Sequence, residues 1–190
     1  MLLSGDLLDG RQTYRETAQA LAQTLGEIPC PVLISPGNHD PYTAKSLYAA
    51  LDRPDWTFLL LGRREKGNPL LPRFKKLPNV IIPGARPMNE VPNWLYRCDV
   101  LVDLLRMDRP YDDVVSPRLY EYLATGKPVV SMLWPDQVEQ FPDVVYSAYN
   151  EEEFITLCSH ALDEVPGFVS RRRQGHAARA SWPLRSAAVT

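Results

Sequence analysis

Paired cysteines, net charge and long apolar runs are all scarce in this sequence, and each scarcity excludes something. The three cysteines, Cys30, Cys98 and Cys158, are an odd and scattered set with no CxxC. That argues against a disulfide framework or a zinc site and suits buried, reduced thiols. The net charge of −2, from 21 basic and 23 acidic residues, gives no global basic field to recruit nucleic acid or an anionic membrane. No apolar run approaches the ~18 residues that span a bilayer. The start, "MLLSGDLLDG", carries acidic residues where a signal peptide has Lys or Arg. A soluble, cytoplasmic protein with no membrane span and no nucleic-acid partner is expected. Internal repeats and low-complexity tracts are also lacking.

What is present is a chain of 190 residues, 45% hydrophobic, enough for one substantial core. Short β-type apolar runs alternate with helical patterns, as in parallel β/α architecture. The expected strands are Leu2–Ser4, Val32–Ser35, Thr57–Leu61, Val80–Ile82, Val100–Asp103, Val129–Met132 and Val144–Tyr146. Between the first two, "TYRETAQALAQTLG" has an apolar helical face and closes on Gly26, giving a βαβ crossover. Thr43 caps a helix over "AKSLYAALD", which Pro54 prevents from continuing. Arg63 to Pro78, rich in Gly, Asn and Pro, reads as a loop with room for one short helix. "VPNWLYRCD" is a short helix, and "RLYEYLATGKPVVSM" a helix ending at Gly126 and a strand after Pro128. An acidic-capped helix, "NEEEFITLCSHALDE", and a basic one, "SRRRQGHAARASW", complete the chain. The fold class expected is α/β: a three-layer sandwich with a mainly parallel sheet of about six or seven strands, a single domain over residues 1–190.

Two constellations carry chemistry. In the first, "SGDLLDG" and "SPGNHDPY" place Asp6, Asn38 and His39 at the C-terminal ends of two neighbouring parallel strands. Hard oxygen ligands and an imidazole on one sheet edge suit metal-assisted phosphoester chemistry. The bland alternative is that these groups only hydrogen-bond strand-end loops. These residues resemble the second and third motifs of calcineurin-like metallophosphoesterases of the DNA-repair exonuclease type, over roughly residues 1 to 45. The resemblance implies Asp6 as a metal-bridging carboxylate and Asn38 as a ligand of one metal. It implies His39 facing the scissile phosphate as the catalytic group, Asp40 orienting it, and Mn2+ or a similar divalent ion as cofactor. The Asp-x-His motif expected upstream of Asp6 is missing, and Gly175-His176 is followed by two alanines rather than by a second histidine motif. The dimetal site implied is incomplete.

In the second, "DDVVSPRLYEYLATGKPVVS" puts Ser116 and Pro117 at a helix start, where free N–H groups around Arg118 to Tyr120 and the helix dipole suit phosphate. Arg118 offers a guanidinium to phosphate oxygens, and Glu121 a carboxylate to a ribose diol. An exposed Glu on a helix is more often only a solvated side chain. The longer run, "RPDWTFLLLG", "LPNVIIPGARPMNEVPNWLYRCDVLV", "SPRLYEYLATGKPVVS", "PDVVYSAYNEEEF" and "RRRQGHAARASWPLR", resembles the C-terminal half of GT-B fold glycosyltransferases over roughly residues 48 to 186. That resemblance implies a Rossmann-like domain binding a nucleotide diphosphate sugar, with no cofactor required. By it Gly84, Ala85 and Arg86 lie near the base, Ser116 to Leu119 on the diphosphate and Glu121 on the ribose. The family's Glu-x7-Glu stands here as Asp113-x7-Glu121, one methylene shorter at the donor-sugar end.

The two resemblances meet near "YTAKSLYAALDRPDWTF", dividing the chain into a segment 1–47 and a segment 48–190. The principal expectation is a nucleotide-sugar-binding domain of glycosyltransferase type, inactive without an N-terminal acceptor domain. A metal-dependent phosphoesterase is the alternative, and a stable α/β fold without turnover the third.

Overall fold

The structure is a computed structural model that describes residues 49–62, 68–103, 115–132 and 135–181 and, for the backbone alone, residues 32–34. The chain divides into two compact units, Met1–Leu104 and Leu105–Thr190.

In the first unit the strands are β1 (Val32–Ile34), β2 (Thr57–Leu61), β3 (Val80–Gly84) and β4 (Val100–Asp103), in the order β3-β2-β1-β4. The pairings are parallel: Val32 lies opposite Thr57, Leu33 opposite Val100, and Leu59 opposite Ile81. Parallel strands need crossovers, and short helices supply them. Residues 49–52 are helical and lead into β2. Helix α1 (Leu71–Phe74) precedes β3, and a 3-10 turn, Met88–Glu90, runs into α2 (Val91–Tyr96) before β4. The single short helix expected between Arg63 and Pro78 is thus α1.

Every residue of β2 is buried, as a strand covered on both faces requires. Phe58 and Leu59 to Leu61 are wholly inaccessible, and each contributes about 1.5–3 kcal/mol of burial. The Asn79 amide ties the preceding helix to the sheet by donating to the carbonyls of Ala50, Arg53 and Trp56 at 2.9, 3.1 and 3.2 Å. β3 runs two residues further than the sequence pattern indicates. It ends at Gly84, whose φ of +85° is open to glycine at little cost and whose carbonyl accepts from the Gly62 N–H at 3.3 Å.

The second unit contains α3 (Pro117–Thr125), β5 (Val129–Ser131), α4 (Pro135–Val138), β6 (Tyr146–Ser147), α5 (Glu151–Leu162) and α6 (Phe168–Arg179). β5 and β6 are parallel, with Val130 opposite Tyr146. The last strand is therefore Tyr146–Ser147 and not Val144–Tyr146. Val144 is buried, but its N–H bonds the Phe141 carbonyl in a turn where Asp143 has φ +57°, so its apolar character reports burial and not extension.

α5 begins at Asn150, whose side chain accepts from the Glu153 N–H at 2.8 Å, while Glu153 accepts from the Tyr149 N–H at 2.8 Å. Three acids in its first turn complement the dipole, and Phe154, Cys158 and Ala161 face inward at helical spacing. α3 packs on α6 through Gly126, which closes α3 at φ +76°. A Cβ there would stand 3.1 Å from the Gln174 amide nitrogen and 3.3 Å from the Ser170 carbonyl, so only glycine fits without strain.

The two described cysteines, Cys98 and Cys158, are buried and not joined in a disulfide. No helix among the described residues is long and apolar enough to cross a membrane.

Candidate functional site

α3 starts because Pro117 fixes φ at the first helical position and has no N–H to leave unpaired. Ser116 precedes it in an extended conformation, the usual place for a serine that caps the helix with its own hydroxyl. This serine does not. Its side chain makes no capping bond, the residue is 3% exposed, and its Oγ has no hydrogen-bond partner among the described residues. A buried hydroxyl left unpaired costs about 1–3 kcal/mol, so a second polar group is called for at this point.

The neighbouring candidates divide between core and surface. Leu119 is fully buried, and its N–H bonds the Ser116 carbonyl at 3.0 Å. It is therefore not one of the free donors expected at this helix start. Arg118 is buried at 9% exposure and so acts from within. Glu121 is exposed on the next turn. Partial burial pushes its carboxyl above the ordinary Glu range, and the Arg118 charge opposes that rise without cancelling it. Ser116, Arg118, Leu119 and Glu121 thus share one helical turn and a half, with Ser116 and Arg118 buried among the polar members and Glu121 exposed.

Gly84 and Arg86 belong to the first unit and are described with it. Arg86 follows β3, and its guanidinium carbon lies 5.5 Å from the centre of the Trp94 ring on α2. On the turn before α2, Glu90 is 2% exposed, and among the described residues its carboxylate oxygens, the Trp94 Nε1 and the Arg86 Nε have no hydrogen-bond partner. No periodicity in Met88-Asn89-Glu90 marks these atoms as buried, because the 3-10 turn is too short to show a face. Asp6, Asn38, His39, Asp40 and Asp113 lie outside the described residues. Among the described residues no group of three or more His, Cys, Asp or Glu side chains is placed to hold a metal ion.

The C-terminal end of α3 is held by a network that sequence reading also missed. Arg173, in the basic run of α6, is 1% exposed. Its Nη1 and Nη2 atoms grip both oxygens of Glu164 at 2.5 and 2.6 Å. Its Nε donates to the Val144 carbonyl at 2.9 Å, and Nη1 reaches the Gly126 carbonyl at 3.5 Å. The Tyr146 hydroxyl donates to Glu164 at 2.8 Å. Burial alone would raise Glu164, but the Arg173 and Tyr146 hydrogen bonds and the Arg173 charge together hold its carboxyl below the usual range. Tyr146 is pushed up, by burial first and by Glu164 second. His176 packs against Tyr120 and Phe141 at ring distances of 6.2 and 5.2 Å, and burial, aided by the Arg179 charge, lowers its pKa.

Similarity to known proteins points to a class: the α/β fold and part of the sequence are similar to those of glycosyltransferases. Over 121 residues, 61% of this chain, it is 34% identical to TuaH of Bacillus subtilis (strain 168), assigned as a glycosyltransferase of teichuronic acid biosynthesis. The chain spans only 30% of that relative's length. Among solved structures it shares its fold with Anabaena HepE, crystallised with UDP and glucose. That match has a TM-score of 0.64 and 18% identity, over 91% of this chain and 51% of HepE. It also matches the structure described for EarP-mediated arginine glycosylation of elongation factor EF-P. Here the TM-score is 0.51 at 16% identity, over 93% of this chain and 66% of the other. Models of known protein families find no match in the chain.

Proposed function

We propose that the second unit holds the diphosphate and ribose of a nucleotide diphosphate sugar at the start of α3, as part of a GT-B glycosyltransferase. The observation that carries this reading is the Ser116 hydroxyl, buried and unpartnered at a helix N-terminus. A diphosphate oxygen supplies the acceptor the hydroxyl lacks, and the helix dipole favours the negative charge. Glu121, one turn further and exposed, accepts hydrogen bonds from the ribose diol. Asp113 keeps the role the resemblance gives it, at the donor sugar. The HepE structure holds UDP and glucose, which makes UDP the first nucleotide to test. The finer fold reading, a three-layer Rossmann-like sandwich, goes with this proposal.

The test is a thermal-shift titration with a panel of nucleoside diphosphates. At a concentration 100-fold above Kd a bound nucleotide adds about 2.7 kcal/mol of stability. Glu121→Ala removes a charge-assisted bond worth about 1.5–3 kcal/mol and is expected to weaken binding ten-fold or more. No response to any nucleoside diphosphate overturns the proposal.

A further inference from the structure

The helix α6 carries two unusual surfaces besides its buried arginine, and neither serves the site at α3. Val165, just before it, is 83% exposed and Phe168, its first residue, 68% exposed, separated by Pro166 and Gly167. A Cβ built on Gly167 meets nothing within 4 Å, so this tip stands clear of its described neighbours. Below the tip a groove of about 320 Å³ runs along the helix, lined by Phe168, Arg171, Arg172, His176 and Arg179 among others. Arg172 lies 5.7 Å from the Phe168 ring and pairs with Asp143 at 3.1 Å. Arg171 and Arg179 have no ion pair among the described residues. Of the acids nearby, Asp143 is taken up by Arg172 and Glu164 is bound inward by Arg173, which leaves the exposed Asp163 at the end of α5. His176, its pKa lowered by burial and by Arg179, adds no charge at neutral pH. The overall charge of −2 conceals this local excess of positive charge.

We infer that the tip and basic face of α6 dock the protein on an anionic bilayer, with Val165 and Phe168 entering the headgroup layer and Arg171 and Arg179 meeting lipid phosphates. The pairing of apolar points with flanking cations is what an interfacial surface needs. A soluble anion accounts for the arginines but leaves two large apolar side chains in water. A second copy of the same face sets arginines against arginines and is disfavoured by charge. The contact is peripheral: an aromatic and an aliphatic side chain with a few cations give reversible attachment, strong only at low ionic strength. It rests on no assumption about the nucleotide.

The experiment is co-sedimentation of the full chain with phosphatidylcholine vesicles, with and without phosphatidylglycerol. Pelleting is expected only with the anionic vesicles and is lost as salt is raised. Each of Arg171→Ala and Arg179→Ala is expected to weaken it about five-fold, the equivalent of ~1 kcal/mol per basic residue at the surface. The double change Val165→Ser with Phe168→Ser is expected to weaken it about ten-fold or more. All these side chains are exposed, and unchanged thermal unfolding of the variants confirms that the fold is intact. Failure of wild type to pellet at low salt, or pelleting indifferent to both sets of changes, overturns the inference. So does stabilisation by inorganic phosphate or pyrophosphate without vesicle binding, or a dimer in sedimentation equilibrium that Phe168→Ser dissolves.

Discussion

At its C-terminal end α3 meets a network in which every guanidinium nitrogen of Arg173 has an acceptor, two carboxylate oxygens and two backbone carbonyls. At its N-terminal end it meets Ser116, also hidden from water, whose hydroxyl has no partner among the described residues. Both ends bury polar atoms, and both sit on the same nine-residue helix. A closed network is what a scaffold needs, because each satisfied group removes a penalty and fixes a position. An open hydroxyl is a cost the fold bears for another purpose, and ligand binding is the purpose that fits the chemistry of a helix start.

The largest expected effect comes from opening the closed end. Arg173→Met leaves Glu164 buried without its cation, and a loss of about 3–5 kcal/mol in urea-denaturation stability is expected. Adding Glu164→Leu to that variant is expected to restore most of the loss. If it does not, the arginine acts through its bonds to Val144 and Gly126 and the comparison must be redrawn around the backbone.

Acid offers a second, smaller way to open the same end. Glu164 is held below its ordinary pKa in the folded state, so its contribution is complete above the unfolded value of roughly 4.3 and is lost as pH falls through the lower folded one. A melting-temperature profile carried downward from neutral pH should show this limb in the wild type. The Arg173→Met variant should lack it.

The smallest effect on stability belongs to the open end. Ser116→Ala removes a hydroxyl that bonds nothing, so unfolding stability is expected to stay within about 1 kcal/mol of wild type or to rise. Nucleotide affinity is expected to fall about three- to ten-fold, by calorimetry, as one neutral hydrogen bond disappears. A clear destabilisation without loss of affinity would make Ser116 a structural residue and erase the difference between the two ends.

The sequence revealed most of the strands because their burial is complete. Thr57–Leu61 reads as an unbroken apolar run between Pro54 and Gly62, and the structure puts the strand there to the residue. Burial misled where it was not extension, at Val144. The start of α3 was readable from Ser-Pro and its end from Gly126, and both were placed correctly. What was not readable was which polar groups lie inside. Arg171, Arg172 and Arg173 are identical in sequence terms, and only the rotation of α6 turns Arg173 inward to Glu164 and Gly126. Leu119 likewise offered an N–H by position, but the helix start uses it internally. Helical periodicity applied to the basic run would have set Arg173 on the same face as Ser170 and Ala177, away from its two neighbours.

β2 has a consequence for making the protein as well as for folding it. Five consecutive residues, Thr-Phe-Leu-Leu-Leu, are buried in the native sheet and have no charge among them. While its parallel neighbours are still unpaired, such a segment is a template for intermolecular strand pairing. The chain brackets it with Arg53 and Asp55 on one side and Gly62, Arg63 and Arg64 on the other, residues that oppose stacking of one copy on the next. Refolding at high protein concentration should therefore compete with aggregation seeded at this strand, and slow dilution should favour the soluble form.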